Sequence, residues 1–257
     1  MSQDGAEYAR LCEDLAAEEC DLDAIVSSLA PSSWETPTPA VGWDVRDQIG
    51  HLAVSEDLAT LAATDAEAFR AELLRLLSDL DATEDGQLAR GRGMEPPEVL
   101  AWWRASRERT LAAVRGREPS SRILWAAGEM SATSFVRARL METWAHGQDI
   151  VDAVGVDRLP TARLRHIAEL GVRTRGFSYA NRGLPVPGGG VRVELRAPDG
   201  SQWTWGEDVG SRVMGPAIDF CLVVTRRRRP DATALRVEGS LAAEWMDIAQ
   251  AFAGLPS

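Results

Sequence analysis

The sequence predicts a bundle of four main helices followed by a small mixed domain, an α plus α+β architecture. Three observations carry that prediction. Apolar residues recur at helical spacing through the first 158 residues. A proline- and glycine-rich break, P-V-P-G-G-G from Pro185 to Gly190, then ends the pattern. Beyond it, V-R-V-E-L-R alternates with period two, as a strand with one buried face does. The expected domains are a helical bundle over 1–158, a connecting helix over 159–184 and an α+β domain over 185–257.

The elements follow in order. Leu11, Leu15, Leu22, Ile25, Val26 and Leu29 place a first helix over about Glu7 to Leu29, with Pro31 after its end. The stretch S-S-W-E-T-P-T-P-A-V-G-W is an ordered connector, and Asp44 is a good N-cap for a second helix carrying Val45, Ile49, His51 and Leu52. Phe69, Leu73, Leu76, Leu77 and Leu80 mark a third helix over about Thr64 to Leu80, and Asp81 to Met94 reads as a polar loop. Pro96 and Pro97 open a helix that runs to about Val114. Ser131 to Val154 forms the last long helix of this half, closed by Gly155. Leu159 to Ala180 reads as one further helix, frayed near Gly176. After the break, a hairpin through A-P-D-G, a short helix from Gly215-Pro216 to Val224, a strand at Ala234 to Val237 and a helix from Ser240 to Phe252 give the order β-β-α-β-α.

Composition narrows the function. A net charge of −11 argues against a protein that tracks nucleic-acid phosphates. All the Lys/Arg positions are arginine, which excludes a Schiff-base lysine and a P-loop lysine. Arg-only usage most simply reflects a GC-rich coding sequence. No apolar run approaches the ~18 residues of a membrane span, and the N-terminus lacks a signal pattern, so a cytoplasmic protein is expected. Cys12, Cys20 and Cys221 fit a reducing compartment, with no C-x-x-C among them.

The chemistry concentrates in M-E-T-W-A-H-G-Q-D-I-V-D-A, Met141 to Ala153. Glu142, His146 and Asp149 are spaced four and three apart, one stripe of a helix. An E-x-x-x-H pair is common as a surface contact. Here Phe135, Ala138 and Ala153 share its face, so the stripe points into the bundle, where a carboxylate and an imidazole need partners or a metal. His51, one of only three histidines, is the candidate to complete a site of two histidines and a carboxylate. Asp149 is either a helix-end charge or a group that accepts a ring N–H and orients water. Arg173, Arg175 and Arg182 are candidates to hold carboxylates, a solvated helix face being the alternative. His166 reads as a surface or interdomain histidine, and Arg226 to Arg229 as a solvated loop. Trp34 and Trp43 flank the connector into the His51 helix and border a pocket on this reading; Trp102, Trp103, Trp203, Trp205 and Trp245 read mostly as core.

T-P-A-V-G-W-D-V-R-D-Q-I-G-H-L, Thr38 to Leu52, resembles the N-terminal motif of the mycothiol-dependent maleylpyruvate isomerase family, a branch of the DinB-like metal-binding bundles. The later E-x-x-x-H-G-x-D is similar too. W-x-W in the hairpin and G-P-A-I-D-F before a helix resemble a sterol-carrier-like C-terminal domain, and G-V-R-T-R-G-F-S-Y (Gly171 to Tyr179) points to an actinobacterial branch. The resemblance implies a divalent metal, zinc first, on His51, Glu142 and His146, and mycothiol as thiol cosubstrate. It implies S-transfer or cis-trans isomerisation of a small electrophile, with Asp149, Arg173 and Arg175 as catalytic candidates and Trp43 and Arg182 at the cosubstrate. Two other functions stay open: a hydrolase that uses metal-activated water, and a binding protein for an apolar ligand. The expected partner is a small molecule, with neither nucleic acid nor membrane, and the chain a monomer or homodimer.

Overall fold

A computed structural model describes residues 2–78, 88–126, 128–207 and 210–252. The chain divides into two compact units, residues 1–157 and 158–257.

The first unit is built on four long helices: α1 (Gln3–Ser27), α2 (Val45–Thr64), α4 (Pro96–Arg115) and α5 (Ala132–Val154). Helix α2 packs on α4 and α5, and α1 on the same two, which closes the bundle. Leu22, Val26, Ile49, Leu52, Val99, Trp103 and Ile150 meet in one buried cluster. Full burial of each such side chain is worth about 1.5–3 kcal/mol.

The helix ends follow from local chemistry. Asp44 caps α2 by accepting from the Asp47 amide at 2.8 Å, while the Asp47 carboxylate accepts from the Asp44 amide at 3.1 Å. Ser131 caps α5 through the Ser134 amide at 3.1 Å. Gly155 ends α5 with φ 67°, the left-handed cap that glycine adopts without strain.

The expected third helix is α3 (Ala66–Ser78), which follows α2 after a break at Asp65; its expected end at Leu80 and half of the expected loop lie outside the described residues. Two details differ from the sequence reading. Residues 88–92, expected as loop, are helical and lie against α2, where a Cβ on Gly50 would sit 3.6 Å from the Gly91 Cα. A hairpin of β1 (Arg122–Trp125) and β2 (Gly128–Ser131) leads into α5. Its Trp125 ring stacks on Phe69 at 5.4 Å and meets Phe135 edge-on at 5.3 Å.

The second unit begins with α6 (Leu164–Arg173) and α7 (Arg175–Ala180). The expected continuous helix is thus two, and the stretch expected as a connector belongs to this unit. The break comes at Thr174, whose hydroxyl donates to Leu170 O at 2.9 Å. The sheet has the order β4-β3-β5-β6, from β3 (Arg192–Arg196), β4 (Gln202–Trp205), β5 (Arg212–Pro216) and β6 (Arg236–Glu238). Strands β3 and β5 are parallel and the outer pairings antiparallel.

Strand β5 was not expected, and the order becomes β-β-β-α-β-α with α8 (Ala217–Val224) and α9 (Ser240–Ile248). Val193, Leu195, Val213, Phe220 and Trp245 are buried, the core of this unit. Gly171 lets α6 approach α8: a Cβ there would lie 2.9 Å from Val224 Cγ1. A helical first unit and a small C-terminal sheet are the fold class that the sequence predicts.

Candidate metal centre

Helix α2 carries His51 and α5 carries Glu142 and His146, and the packing of these two helices brings the three side chains together. One ligand atom from each lies within 4.8 Å of the others, the cluster of this kind among the described residues. Glu142 Oε2 is 3.3 Å from His146 Nε2 and 3.8 Å from His51 Nε2. Two donors of a tetrahedral ion bound at ~2.0–2.1 Å stand roughly 3.4 Å apart, so the spacing suits a divalent metal.

Each side chain is partly buried: 29% of His51, 18% of Glu142 and 13% of His146 remains exposed. The centre is therefore sheltered yet reachable, as a site with an open coordination position must be.

Electrostatics favour the charged carboxylate. Burial works against ionisation of Glu142, but His146 and His51, with Arg139 behind them, hold it well below the usual carboxylate range. Arg139 sits one turn before Glu142 on α5 and is 2% exposed. Its guanidinium donates to the Ser55 hydroxyl, lies 3.9 Å from Glu56 Oε1 and sits 4.7 Å from the Trp125 ring centre.

The rings form a small stack. His51 and His146 have centroids 4.5 Å apart, and Trp43 lies 5.2 Å from His51 and 6.1 Å from His146, nearly parallel to the latter at 17°. Trp43 thus walls the centre, and is brought there by the turn that ends at the Asp44 cap. Arg92 braces that turn: it grips both carboxylate oxygens of Asp47, at 2.9 and 2.7 Å, and donates to Gly42 O at 2.9 Å.

Gln48 lies on the His51 flank of α2 and was not among the expected site residues. It is fully buried, and its Oε1 lies 2.5 Å from His146 Nδ1. An acceptor at Nδ1 directs the Nε2 lone pair toward the space between Glu142 and His51, where a cation would sit. Its place three residues before His51 was a visible signal; its pairing with a histidine on α5 was not.

A family model described as the mycothiol maleylpyruvate isomerase N-terminal domain matches residues 15–151. The chain belongs to that family. The matched span of this isomerase-family member includes His51, Glu142 and His146. Two uncharacterized proteins of Mycobacterium tuberculosis, MT0041 (strain CDC 1551 / Oshkosh) and Rv0036c (strain ATCC 25618 / H37Rv), are each 42% identical to it over 244 residues, 95% of either chain. Crystal structures of the mycothiol-dependent maleylpyruvate isomerase and of one of its mutants are similar in fold, with a TM-score of 0.57 at 18% identity, covering 91% of this chain and 95% of those.

The remaining expected residues of this family member fall as follows. Asp149 is buried on α5, 4% exposed, and stands outside the converging trio. Arg173, Arg175 and Arg182 belong to the second unit. There Arg173 pairs with Glu169 at 3.3 Å, Arg175 donates to Gly189 O at 2.9 Å and Arg182 to Ser178 O at 3.4 Å. His166 is half-buried on α6 of the same unit. No helix among the described residues is long and apolar enough to cross a membrane.

Proposed function

We propose that this chain is a divalent-metal enzyme, zinc being the preferred ion, that uses a low-molecular-weight thiol, mycothiol, to transfer sulfur to or isomerise a small electrophilic substrate. One observation supports the reading above all. His51, Glu142 and His146 converge from two helices in the family-matched unit, at ligand spacing and with partial exposure. A metal held there would bind the thiol sulfur and lower its pKa, so that thiolate forms at neutral pH.

The chain's own groups set up that chemistry. Glu142 brings negative charge to the centre, and Arg139 keeps it ionised from behind. Gln48 accepts from His146 Nδ1 and so turns Nε2 toward the centre. Trp43 closes one side and excludes water from the sulfur, and Asp149 is proposed to orient polar groups from the same helix face. The reading needs only residues of the first unit. A cytoplasmic location and a small-molecule substrate go with it.

The test combines elemental analysis with turnover. Purified protein should hold close to one divalent ion per chain and consume a maleyl-type electrophile only when mycothiol is present. His51→Ala should lose both the ion and the turnover. Metal-free wild-type protein, or a His51→Ala variant with unchanged metal content and turnover, would sink the reading. Turnover without thiol would favour hydrolysis by metal-activated water instead.

A further inference from the structure

We infer that Gln48 is a positioning residue that couples the metal centre to the Thr38–Trp43 turn, so that the pose of the Trp43 ring and the affinity for metal depend on one another. The inference rests on the metal reading above and adds a coupling to it.

The argument begins at a carbonyl. Trp43 O can only accept, and it takes hydrogen bonds from the Thr38 amide at 2.8 Å and the Thr38 hydroxyl at 3.0 Å. With its proton committed there, Thr38 Oγ1 accepts from Gln48 Nε2 at 2.9 Å. That orientation of the amide turns Gln48 Oε1 to His146 Nδ1, 2.5 Å away. With the amide in this orientation the chain runs from His146 N–H to Gln48, Gln48 N–H to Thr38 and Thr38 O–H to Trp43.

The other end of the loop closes through space. The Trp43 whose carbonyl terminates the chain is the Trp43 whose ring lies 6.1 Å from His146 at 17° and 5.2 Å from His51. A ring rotation of His146 as it takes up a metal would pull on Gln48 and, through Thr38, on the turn bearing its own stacking partner. Gln48 is fully buried, so water has no ready route to replace either bond. The far anchor is rigid, because Arg92 holds Gly42 O and Asp47 on the opposite side of the turn. A displacement at His146 is therefore transmitted to the Trp43 ring instead of being absorbed by a slack loop.

Zinc affinity is measured by competition with a chelating indicator. Trp43 emission is taken as the difference between wild type and Trp43→Phe during the same zinc titration. Gln48→Leu should weaken zinc binding about 10- to 100-fold, the range for partners of metal-ligating histidines, and abolish the zinc-induced change in Trp43 emission. Thr38→Val touches no ligand, yet should weaken zinc several-fold and also abolish the emission change. Gln48→Glu retains an acceptor for His146 but no donor to Thr38; it should recover affinity from the Gln48→Leu level to the Thr38→Val level without restoring the emission change.

Wild-type protein that binds zinc no better than Gln48→Leu and Thr38→Val do would overturn the coupling and leave the metal reading standing. Wild-type protein that binds no zinc would overturn both. An emission change that persists in Thr38→Val would also overturn the coupling. Should Gln48→Leu fail to fold by circular dichroism, Thr38→Val and Gln48→Glu decide the matter.

Discussion

Replacing Arg139 by methionine should destabilise the first unit by about 3–5 kcal/mol near neutral pH, the usual loss when one partner of a buried ion pair is removed. The guanidinium side chain is 3% exposed, and Glu56, 3.9 Å away, is 0% exposed. At that separation and an effective dielectric near 20, their attraction is about 4 kcal/mol. Neither Glu56 carboxylate oxygen has a hydrogen-bond partner among the described residues, so Arg139 is the main compensation for that charge. Burial pushes the Glu56 carboxyl up, and Arg139 offsets this in part. A carboxyl raised in the folded state lends stability below its unfolded value of about 4.3 and loses it as pH rises through the folded value. The deficit of Arg139→Met should therefore grow from pH 5 to pH 8. Adding Glu56→Leu to Arg139→Met should recover most of the loss, since an apolar pair replaces a buried ionic one with little penalty. Urea unfolding followed by circular dichroism reads the wild type and both variants. A loss under about 1 kcal/mol for Arg139→Met, or a double variant no better than the single, would refute this account of the core.

Three further outcomes are expected. Stripping metal with a chelator should remove up to about 2.7 kcal/mol of stability at a hundredfold excess of metal over Kd, or roughly 5–10 °C in Tm for a unit of this size; calorimetry with and without zinc checks it. Glu19→Gln should stabilise the protein at pH 7 and flatten its pH–stability profile above pH ~5, read by chemical unfolding at each pH. Burial first, then the neighbouring Glu56, drives the Glu19 carboxyl well above the usual range, so its charged form is what the fold disfavours. Gly239→Ala should lower stability by about 1–3 kcal/mol, because φ is 83° and a Cβ there would lie 2.8 Å from Gly210 O; thermal melts of the purified variant test this.

The long helices were legible because their apolar residues repeat and their ends carry Asp44, Pro96, Ser131 and Gly155. The Glu142–His146 pair was legible for the same reason, since its spacing is a property of one helix. Strand β5 was not, because S-R-V-M-G-P is short and holds a glycine and a proline that read as a turn. Residues 88–92 were lost in a glycine-rich stretch whose helix is held by packing on Gly50. Glu19, Glu56 and Arg139 look in sequence like residues of solvated helix faces, and their burial is decided only by which helices meet. Gln48 is the same case: its partner His146 lies 98 residues away. Local rules can place a residue on a face, but they cannot say what stands opposite.

The three donors of the proposed metal centre are unequally distributed. Two come from neighbouring turns of α5, and the third arrives about ninety residues earlier, on α2. On the proposed function, α5 alone would supply two donors and engage an ion before α2 has docked. Closure by His51 then clasps a long segment of chain into a ring, at a loop entropy that grows only slowly with its length. An ion already resting on those two donors in the partly unfolded ensemble would draw down that ensemble's free energy as well. The stabilisation that metal would confer on the whole fold is therefore smaller than its affinity for the finished centre would imply.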